Sequence, residues 1–230
     1  MIPSDKSAIV WENGMIGSHG LAGEWGLPVQ ARGMVVFSQC GGSRRQGSRD
    51  RHVAKLFNDY GLGTVLFDLL THEEALQQVA QSNISMLSER LQDALLWLKG
   101  RYEAKSLPLG LFSSGYGTAA AMVAAALMPS EVRAIVSRSG RPDMADGYLA
   151  DVRAPTLLIV GAKDPYVLAV NRACAQTMAC LTDLKIIPRA THLFEEFGTL
   201  DAVTVLAINW FLRYFSEPGD VPVEELLLRR

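Results

Sequence analysis

Six mainly apolar runs, which alternate with helical segments, constrain the fold of this chain more than any other feature. Strands that are apolar on both faces are typical of a parallel sheet covered by helices on its two sides. Short β-like pieces broken by glycines precede Gly33 and predict an antiparallel start to that sheet. We therefore predict an α/β fold with a mostly parallel sheet, whose strands lie at residues 34–37, 64–67, 109–112, 134–136, 156–160 and 184–187.

Two helices are predicted from their apolar periodicity. Leucines recur at spacings of four, four and three between residues 85 and 102, and residues 200–215 carry a second apolar stripe. A glycine and two prolines then end the last helix. The chain of 230 residues has the length of one α/β domain, which we place at residues 1–216, followed by a C-terminal tail at 217–230.

Composition excludes several classes of protein. Hydrophobic residues make up 49% of the chain, enough for a large core, and a net charge of −2 gives no general attraction to nucleic acid. We expect no signal peptide, and no apolar run reaches the roughly 18 residues needed to cross a membrane. The cysteines and histidines lack the spacing of metal ligands. We expect a cytoplasmic monomer or homodimer that needs no cofactor or metal and binds a small molecule rather than nucleic acid or membrane.

Residues 113–117 read Ser-Ser-Gly-Tyr-Gly between a strand-like run and a helix of small residues. This is the context of a nucleophile elbow, where serine or cysteine stands at the centre of a small-x-nucleophile-x-small pattern. Only the register from Ser113 to Gly117 has small residues at both flanks, and it puts Gly115 at the centre. The Ser114 hydroxyl would need a shift of the turn by one residue, and Ser113 also lacks a small first flank.

Asp164 and His192 follow the last two strand-like runs, at the edge where parallel sheets bind ligands. Their order after the elbow matches a hydrolase triad, in which the carboxylate orients the imidazole and the imidazole takes a proton. Each also has an ordinary explanation, because Asp164 can cap a helix that begins at Pro165 and His192 can be a loop residue. Together, at successive strand ends, they favour a hydrolase.

Two groups of arginines follow strands of the predicted sheet and suggest an anion site for a carboxylate or phosphate ester. The alternative is a solvated basic face, partly neutralised by Asp50 and Asp143. The arginines are Arg44, Arg45, Arg49, Arg51, Arg138 and Arg141.

In the order of its motifs, the chain resembles the dienelactone-hydrolase-like branch of the α/β hydrolases over roughly residues 20–215. The resemblance implies a cofactor-independent hydrolase of small esters or acyl compounds that has no separate lid domain. It also implies that Asp164 and His192 occupy the acid and base positions of the triad. The motifs lie at residues 35–37, 41–45, 66–71, 110–117, 137–143, 154–161 and 190–196.

The chain departs from that family at two places. Gly115 replaces the serine or cysteine of the elbow, and Gln39-Cys40 stands where many members carry a His-Gly pair. Backbone N–H groups, including that of Tyr116, can still form an oxyanion hole because they need no particular side chain. The predicted substrate-binding residues are Gln39, Cys40, Gly41, Arg44, Arg45, Gly115, Tyr116 and Arg141.

Two functions stay open from the sequence. The first is a hydrolase with an altered attacking group, with His192, Asp164 and Ser114 as its predicted catalytic residues. Either the Ser114 hydroxyl or a water molecule activated by His192 would then attack the substrate. The second is a non-catalytic binding or regulatory protein that retains the hydrolase pocket. Nucleotide binding fits poorly, because the glycines match neither G-x-G-x-x-G nor a P-loop.

Overall fold

The described residues form a central sheet of eight strands. The computed structural model describes residues 9–39, 47–101, 104–145 and 147–216. The strands are β1 (Ile9–Ile16), β2 (Leu21–Pro28), β3 (Met34–Gln39), β4 (Gly63–Asp68), β5 (Leu109–Gly115), β6 (Val132–Gly140), β7 (Thr156–Gly161) and β8 (Thr182–Ile187). They lie in the order β1-β2-β4-β3-β5-β6-β7-β8.

The pairing pattern confirms the predicted α/β fold with its antiparallel start. Strand β2 pairs antiparallel with both β1 and β4, and the remaining neighbours all pair in parallel. The carboxyl ends of β3 to β8 therefore share one edge of the sheet. This carboxyl edge is where a parallel sheet exposes loop residues that can bind a ligand.

Helices connect the strands and cover both faces of the sheet. Two of them, at Ile84–Gly100 and Thr199–Phe215, are the helices predicted near residues 85–102 and 200–215. The helices are α1 (Ser48–Asp59), α2 (Gln78–Gln81), α3 (Ile84–Gly100), α4 (Tyr116–Leu127), α5 (Pro165–Thr177) and α6 (Thr199–Phe215). Short 3-10 turns lie at Glu74–Leu76, Pro142–Ala145 and Leu149–Asp151.

The core has two parts, one on each face of the sheet. Helices α3 and α4 pack on one face, where the alanines of α4 let its backbone approach the strands closely. Helices α1 and α6 cover the other face around a group of aromatic rings whose neighbouring centroids lie 5.1–5.8 Å apart. These rings belong to Phe37, Phe57, Phe112 and Phe211. Burial of both faces explains why the central strands are almost wholly apolar.

No helix in the described ranges is long and apolar enough to cross a membrane. The tail at 217–230 lies outside the described residues, so the domain boundary at residue 216 stays a prediction. The cytoplasmic location and the oligomeric state also stay predictions.

An ion pair between Glu74 and Arg90 fixes the segment after β4 to α3. Arg90 donates to both carboxylate oxygens of Glu74, at 2.6 and 2.8 Å, and to the carbonyl of Leu69 at 2.8 Å. The hydrogen bonds from Arg90 lower the pKa of Glu74 from 4.5 to about 2. The folded protein therefore holds this carboxylate ionised at pH values where the unfolded chain takes up a proton.

We expect this pair to make stability depend on pH in acid. A carboxyl group whose pKa is lowered by folding stabilises above its unfolded pKa, so the contribution falls as pH drops from 4.5 toward about 2. Because Glu74 is partly exposed, the loss amounts to about 1 kcal/mol. Urea unfolding at several pH values would measure it. Glu74→Gln should flatten that part of the profile, and an unchanged slope would contradict the assignment.

Candidate active site

Gly115 forms the turn between β5 and α4. Its backbone angles are φ +52° and ψ −134°, a conformation that L-amino acids rarely adopt and that is typical of the strained strand-to-helix turn of an elbow. A Cβ atom placed on Gly115 would meet no atom of the described residues within 4 Å. The backbone between β5 and α4 is therefore left-handed at Gly115, and among the described residues the space beside it is open.

A chain of buried hydroxyl groups lies beneath this turn. The single proton of the Thr118 hydroxyl goes to Ser113, so Ser137 is the donor to Thr118, and both contacts measure 3.0 Å. Ser113 in turn donates to the carbonyl of Val136 at 3.3 Å. Every proton in the chain has an acceptor, which fixes the first turn of α4 against β5 and β6. Ser113 is fully buried within this network and is unsuited to attack a ligand.

Ser114 precedes the turn and belongs to β5. Side chains alternate along a strand, so Ser114 lies on the same face as Phe112, toward α1 and α6. Ser114 is half-buried, and the first residue with a left-handed φ is Gly115. The one-residue shift that Ser114 would need is thus not observed, and its catalytic role stays a prediction.

Asp164 and His192 form a hydrogen-bonded pair at the carboxyl edge. Nδ1 of His192 lies 2.6 Å from Oδ2 of Asp164, while Oδ1 of Asp164 accepts a bond from the backbone N–H of Val167 at 3.4 Å. Asp164 therefore makes both predicted contacts, because one oxygen caps α5 and the other accepts a hydrogen bond from the imidazole. The Asp164 side chain is 13% exposed and that of His192 is 51% exposed, so the imidazole faces solvent.

The loops that carry this pair approach each other closely at Gly161. A Cβ atom there would lie 2.4 Å from the carbonyl oxygen of Ala190 and 2.6 Å from that of Thr191. The same approach lets the N–H of Lys163 donate to Ala190 at 2.8 Å. Glycine at position 161 is therefore what allows the aspartate loop and the histidine loop to meet.

Three further contacts hold the loop of His192. Phe194 has a left-handed φ of +54° and buries its ring in the core, which fixes the chain just after His192. The N–H of Thr191 donates to the carboxylate of Glu196 at 3.1 Å. Arg49 of α1 donates to the carbonyl of Phe194 at 2.9 Å and to that of Leu193. These contacts hold the loop that carries His192 in one position.

The pair has the arrangement of a general base. A carboxylate only accepts hydrogen bonds, so Nδ1 of neutral His192 carries the proton and Nε2 keeps its lone pair. Tyr116 opens α4, whose first N–H groups have no partner within the helix and carry partial positive charge. The site therefore offers a proton acceptor and a place for negative charge to develop.

The arginines near the edge are largely paired with carboxylates. Arg141 binds Asp143 through two hydrogen bonds of 2.8 and 2.6 Å, which raise the pKa of the guanidinium. Arg51 binds Glu24 in the same manner, with two bonds of 3.0 Å. The neutralisation of Arg141 by Asp143 is thus observed as the alternative interpretation predicts.

Arg138 differs because it is buried and incompletely paired. Its guanidinium donates to Asp50 at 3.3 Å and lies over the ring of Phe112 at 5.6 Å. Burial lowers the pKa of Arg138, while the charge of Asp50 raises it. The buried Nη1 of Arg138 has no hydrogen-bond partner within the described residues.

Several predicted residues fall outside the described ranges. Cys40, Gly41, Arg44 and Arg45 all lie there, and only the backbone of Gln39 is described. Their binding roles stay predictions. Within the described ranges, no group of three or more His, Cys, Asp or Glu side chains is arranged to hold a metal ion.

Gly161, Phe194 and Glu196 lie within the motifs of the family resemblance, but the sequence analysis assigned them no role in positioning the His192 loop. A glycine directly after a buried strand is a signal for Gly161, because such positions often permit close backbone approach. No sequence signal marks the left-handed φ of Phe194 or the contact of Glu196 with Thr191.

Comparison with solved structures finds matches that cover about nine-tenths of the chain. A dienelactone hydrolase from Anabaena variabilis is 41% identical, with 91% of this chain and 99% of that one covered and a TM-score of 0.85. An esterase domain from a Rhodothermus marinus protein is 19% identical, with a TM-score of 0.71 over 91% of this chain and 100% of that one. The second likeness shows the fold alone.

Comparison with curated proteins finds a longer relative. A protein from two strains of Mycobacterium tuberculosis, which bears the name of a proposed phosphoribosyl transferase, is 44% identical over 199 residues. The match includes 86% of this chain and 45% of that protein, so the chain spans about half the length of this relative. No model of a known protein family matches the chain.

Proposed function

The chain belongs to the dienelactone hydrolase family of the α/β hydrolases, and from this premise we propose that it hydrolyses small esters or related acyl compounds with water as the attacking group. The observation that supports the proposal is the 2.6 Å hydrogen bond between His192 and Asp164 at the carboxyl edge. The open space at Gly115 is where the attacking oxygen of a serine would otherwise stand. A water molecule in that space can take over the role.

The reaction proceeds by general base catalysis. Nε2 of His192 takes a proton from water as the water oxygen bonds to the carbonyl carbon of the ester, and Asp164 stabilises the imidazolium that forms. Negative charge on the carbonyl oxygen is stabilised by N–H groups at the start of α4, including that of Tyr116. When the tetrahedral intermediate collapses, the bond to the leaving oxygen breaks and His192 returns the proton to it. The products are an acid and an alcohol.

The proposal also includes an anionic group on the substrate, a carboxylate or phosphate ester, that arginines would bind. Arg141 is occupied by Asp143, whereas Nη1 of buried Arg138 has no partner in the described part of the chain. Arg44 and Arg45 lie outside the described residues and stay predicted contacts. Because Nη1 of Arg138 is enclosed by protein, a carboxylate or phosphate ester would bind to Arg44 and Arg45 instead.

The second candidate is a non-catalytic ligand-binding or regulatory protein, and the observation that favours it is the absence of a side chain at Gly115. Such a protein would keep the pocket and bind a ligand without turning it over. Phosphoribosyl transfer, the activity named for the Mycobacterium tuberculosis relative, is not proposed, because more than half of that relative lies outside the match.

We expect turnover of short aryl esters to depend on the pair of His192 and Asp164. His192→Ala should lower kcat by about 100-fold or more, because it removes the general base. Asp164→Asn should have a similar effect, since an amide no longer holds the imidazole in the required tautomer. Steady-state kinetics would measure both. Wild-type protein that binds the esters without hydrolysing them would favour the second candidate.

A further inference from the structure

A cavity lies at the edge of the sheet opposite to His192 and Asp164. Met34 begins β3 and pairs with Gly63 at the start of β4, while β2, which is antiparallel to β4, ends at Pro28. This amino edge of the sheet and the end of α3 enclose a cavity of about 250 Å³. No step of the proposed hydrolysis involves a residue at this edge.

The wall of this cavity is mainly apolar and belongs to the core on the α3 side of the sheet. A Cβ atom on Gly63 would overlap the sulfur of Met34 and would lie 3.2 Å from Cδ1 of Leu27. The missing side chain at Gly63 therefore leaves room for both residues at the wall. The apolar residues that line the cavity are Trp25, Leu27, Pro28, Val29, Met34, Leu98 and Ala104.

The two charged residues that line the cavity neutralise each other. Nη2 of Arg101 donates to Oε2 of Glu12 at 3.2 Å. The Arg101 guanidinium also lies over the rings of Trp25 and Trp97, at 4.7 and 5.1 Å from their centroids. Arg101 thus has a counter-ion and two aromatic faces already. A charged ligand would bring an uncompensated charge against apolar surface, which costs free energy, so the wall favours a neutral ligand.

The volume of the cavity sets the size of that ligand. An apolar cavity of about 150 Å³ holds benzene, so one of about 250 Å³ has room for about ten carbon atoms, the size of two fused rings. Glu12 and Val29, which are exposed, both line the cavity, so it opens to solvent on their side. A polar substituent on the ligand can stay hydrated there.

Two lining groups favour an aromatic ring over a saturated ring of the same size. The sulfur of Met34 is suited to contact with the edge of an aromatic ring. The indole of Trp25 is suited to edge-to-face packing, as it shows with Trp97 at a centroid distance of 5.1 Å and an interplanar angle of 70°. A saturated ring would gain from burial of apolar area alone.

We propose that this cavity is a binding site for a neutral aromatic molecule of two fused rings, separate from the site of His192 and Asp164. The rings lie against Trp25, Met34 and Leu98, and the ion pair of Arg101 with Glu12 stays intact at the wall. The site does not depend on the hydrolytic function proposed above.

The test is calorimetric titration of the wild-type protein with 2-naphthol. Decahydro-2-naphthol is its saturated counterpart and 2-naphthoate its charged one. The expected Kd for 2-naphthol is on the order of 100 µM, with binding of each counterpart at least about fivefold weaker. A Kd for 2-naphthol above about 1 mM would overturn the proposal. Equal or tighter binding of either counterpart would also overturn it, because the ligand class would then be wrong.

Variants that fill the cavity show whether the probe binds there. Ala104→Leu and Leu98→Trp each extend a lining residue and should weaken the binding of 2-naphthol by about tenfold or more. Leu96→Trp adds the same bulk at an exposed position of the same helix and should bind as wild type does. Wild-type affinity in a filled variant whose Tm stays within about 5 °C of the wild type would overturn the proposal.

A direct measurement needs no filled variant. In protein with ¹³C-labelled methionine methyl groups, 2-naphthol should shift the signal of Met34, which is assigned by its loss in Met34→Leu. His192→Ala should give the same shift and the same Kd. Binding that leaves the Met34 signal unchanged, or that is lost in His192→Ala, would place the probe elsewhere and overturn the proposal.

Discussion

The Gly115→Ser variant is expected to form an acyl-enzyme with short aryl esters, releasing a burst of about one equivalent of alcohol before steady turnover. Gly115 already has the backbone of the turn, with φ +52° and ψ −134°. A Cβ at this position meets no atom of the described residues within 4 Å, so the new hydroxyl enters a space that these residues leave open. It would stand at the start of α4, where backbone N–H groups can stabilise the oxyanion.

Gly115→Ala is the matched control for this variant. Both substitutions place a Cβ in the same left-handed backbone, at a cost of about 1–2 kcal/mol, so their Tm values should fall together by a few degrees. Only the serine variant carries an attacking oxygen, and its acylation rate should exceed the alanine variant's turnover by about 100-fold or more. If the two variants have equal Tm values and Gly115→Ser shows no burst, the proposal that this site lacks only an attacking side chain is wrong.

Removing the carboxylate of Asp50 is expected to destabilise the fold by about 3 kcal/mol, a fall in Tm of roughly 6–12 °C. Asp50 lies in the first turn of α1 and accepts a hydrogen bond from buried Arg138 at 3.3 Å. Burial lowers the pKa of Arg138, and Asp50 supplies the compensating charge. Asp50→Ala would leave a buried guanidinium without its counter-ion and, among the described residues, without a partner for Nη1.

The double variant Asp50→Ala/Arg138→Met tests whether the buried charge causes that loss. Methionine fills most of the space of the arginine stem and removes the charge, so the double variant should recover most of the stability. Urea unfolding of the wild type, the single variant and the double variant would measure it. A double variant no more stable than Asp50→Ala would show that lost packing, rather than an unpaired charge, sets the cost.

Much of the fold is predictable because the hydrophobic pattern of each segment agrees with the element that the segment forms. Strands buried on both faces are apolar along most of their length, which is why the interior strands β3 to β7 are visible as runs, whereas the edge strand β8 is partly exposed and carries Asp183 and Lys185. The position of Asp164 and His192 follows from the same reasoning, since both come just after such strands. The position of the turn at Gly115 was predictable because only the register from Ser113 to Gly117 has small residues on both sides of its central residue.

The remaining features depend on tertiary context. Arg141 pairs with Asp143 and Arg51 pairs with Glu24. Arg51 and Glu24 are far apart in the sequence, so the sequence does not distinguish this pair from many other possible ones. The sign of φ at Ser139 is set by a bulge between β5 and β6, and a serine in a strand carries no sequence mark of it. Bracing of the His192 loop likewise depends on elements far apart in the chain, as the contact of Arg49 with Phe194 illustrates.

The most direct test is the intact mass of wild-type protein after incubation with a fluorophosphonate, measured beside its ester turnover. If water is the attacking group, the mass stays unmodified while turnover proceeds and is lost in His192→Ala. An adduct that maps to Ser114, or to any other serine, would show that a side chain attacks the substrate. Turnover that persists in His192→Ala would contradict the role of the pair of His192 and Asp164.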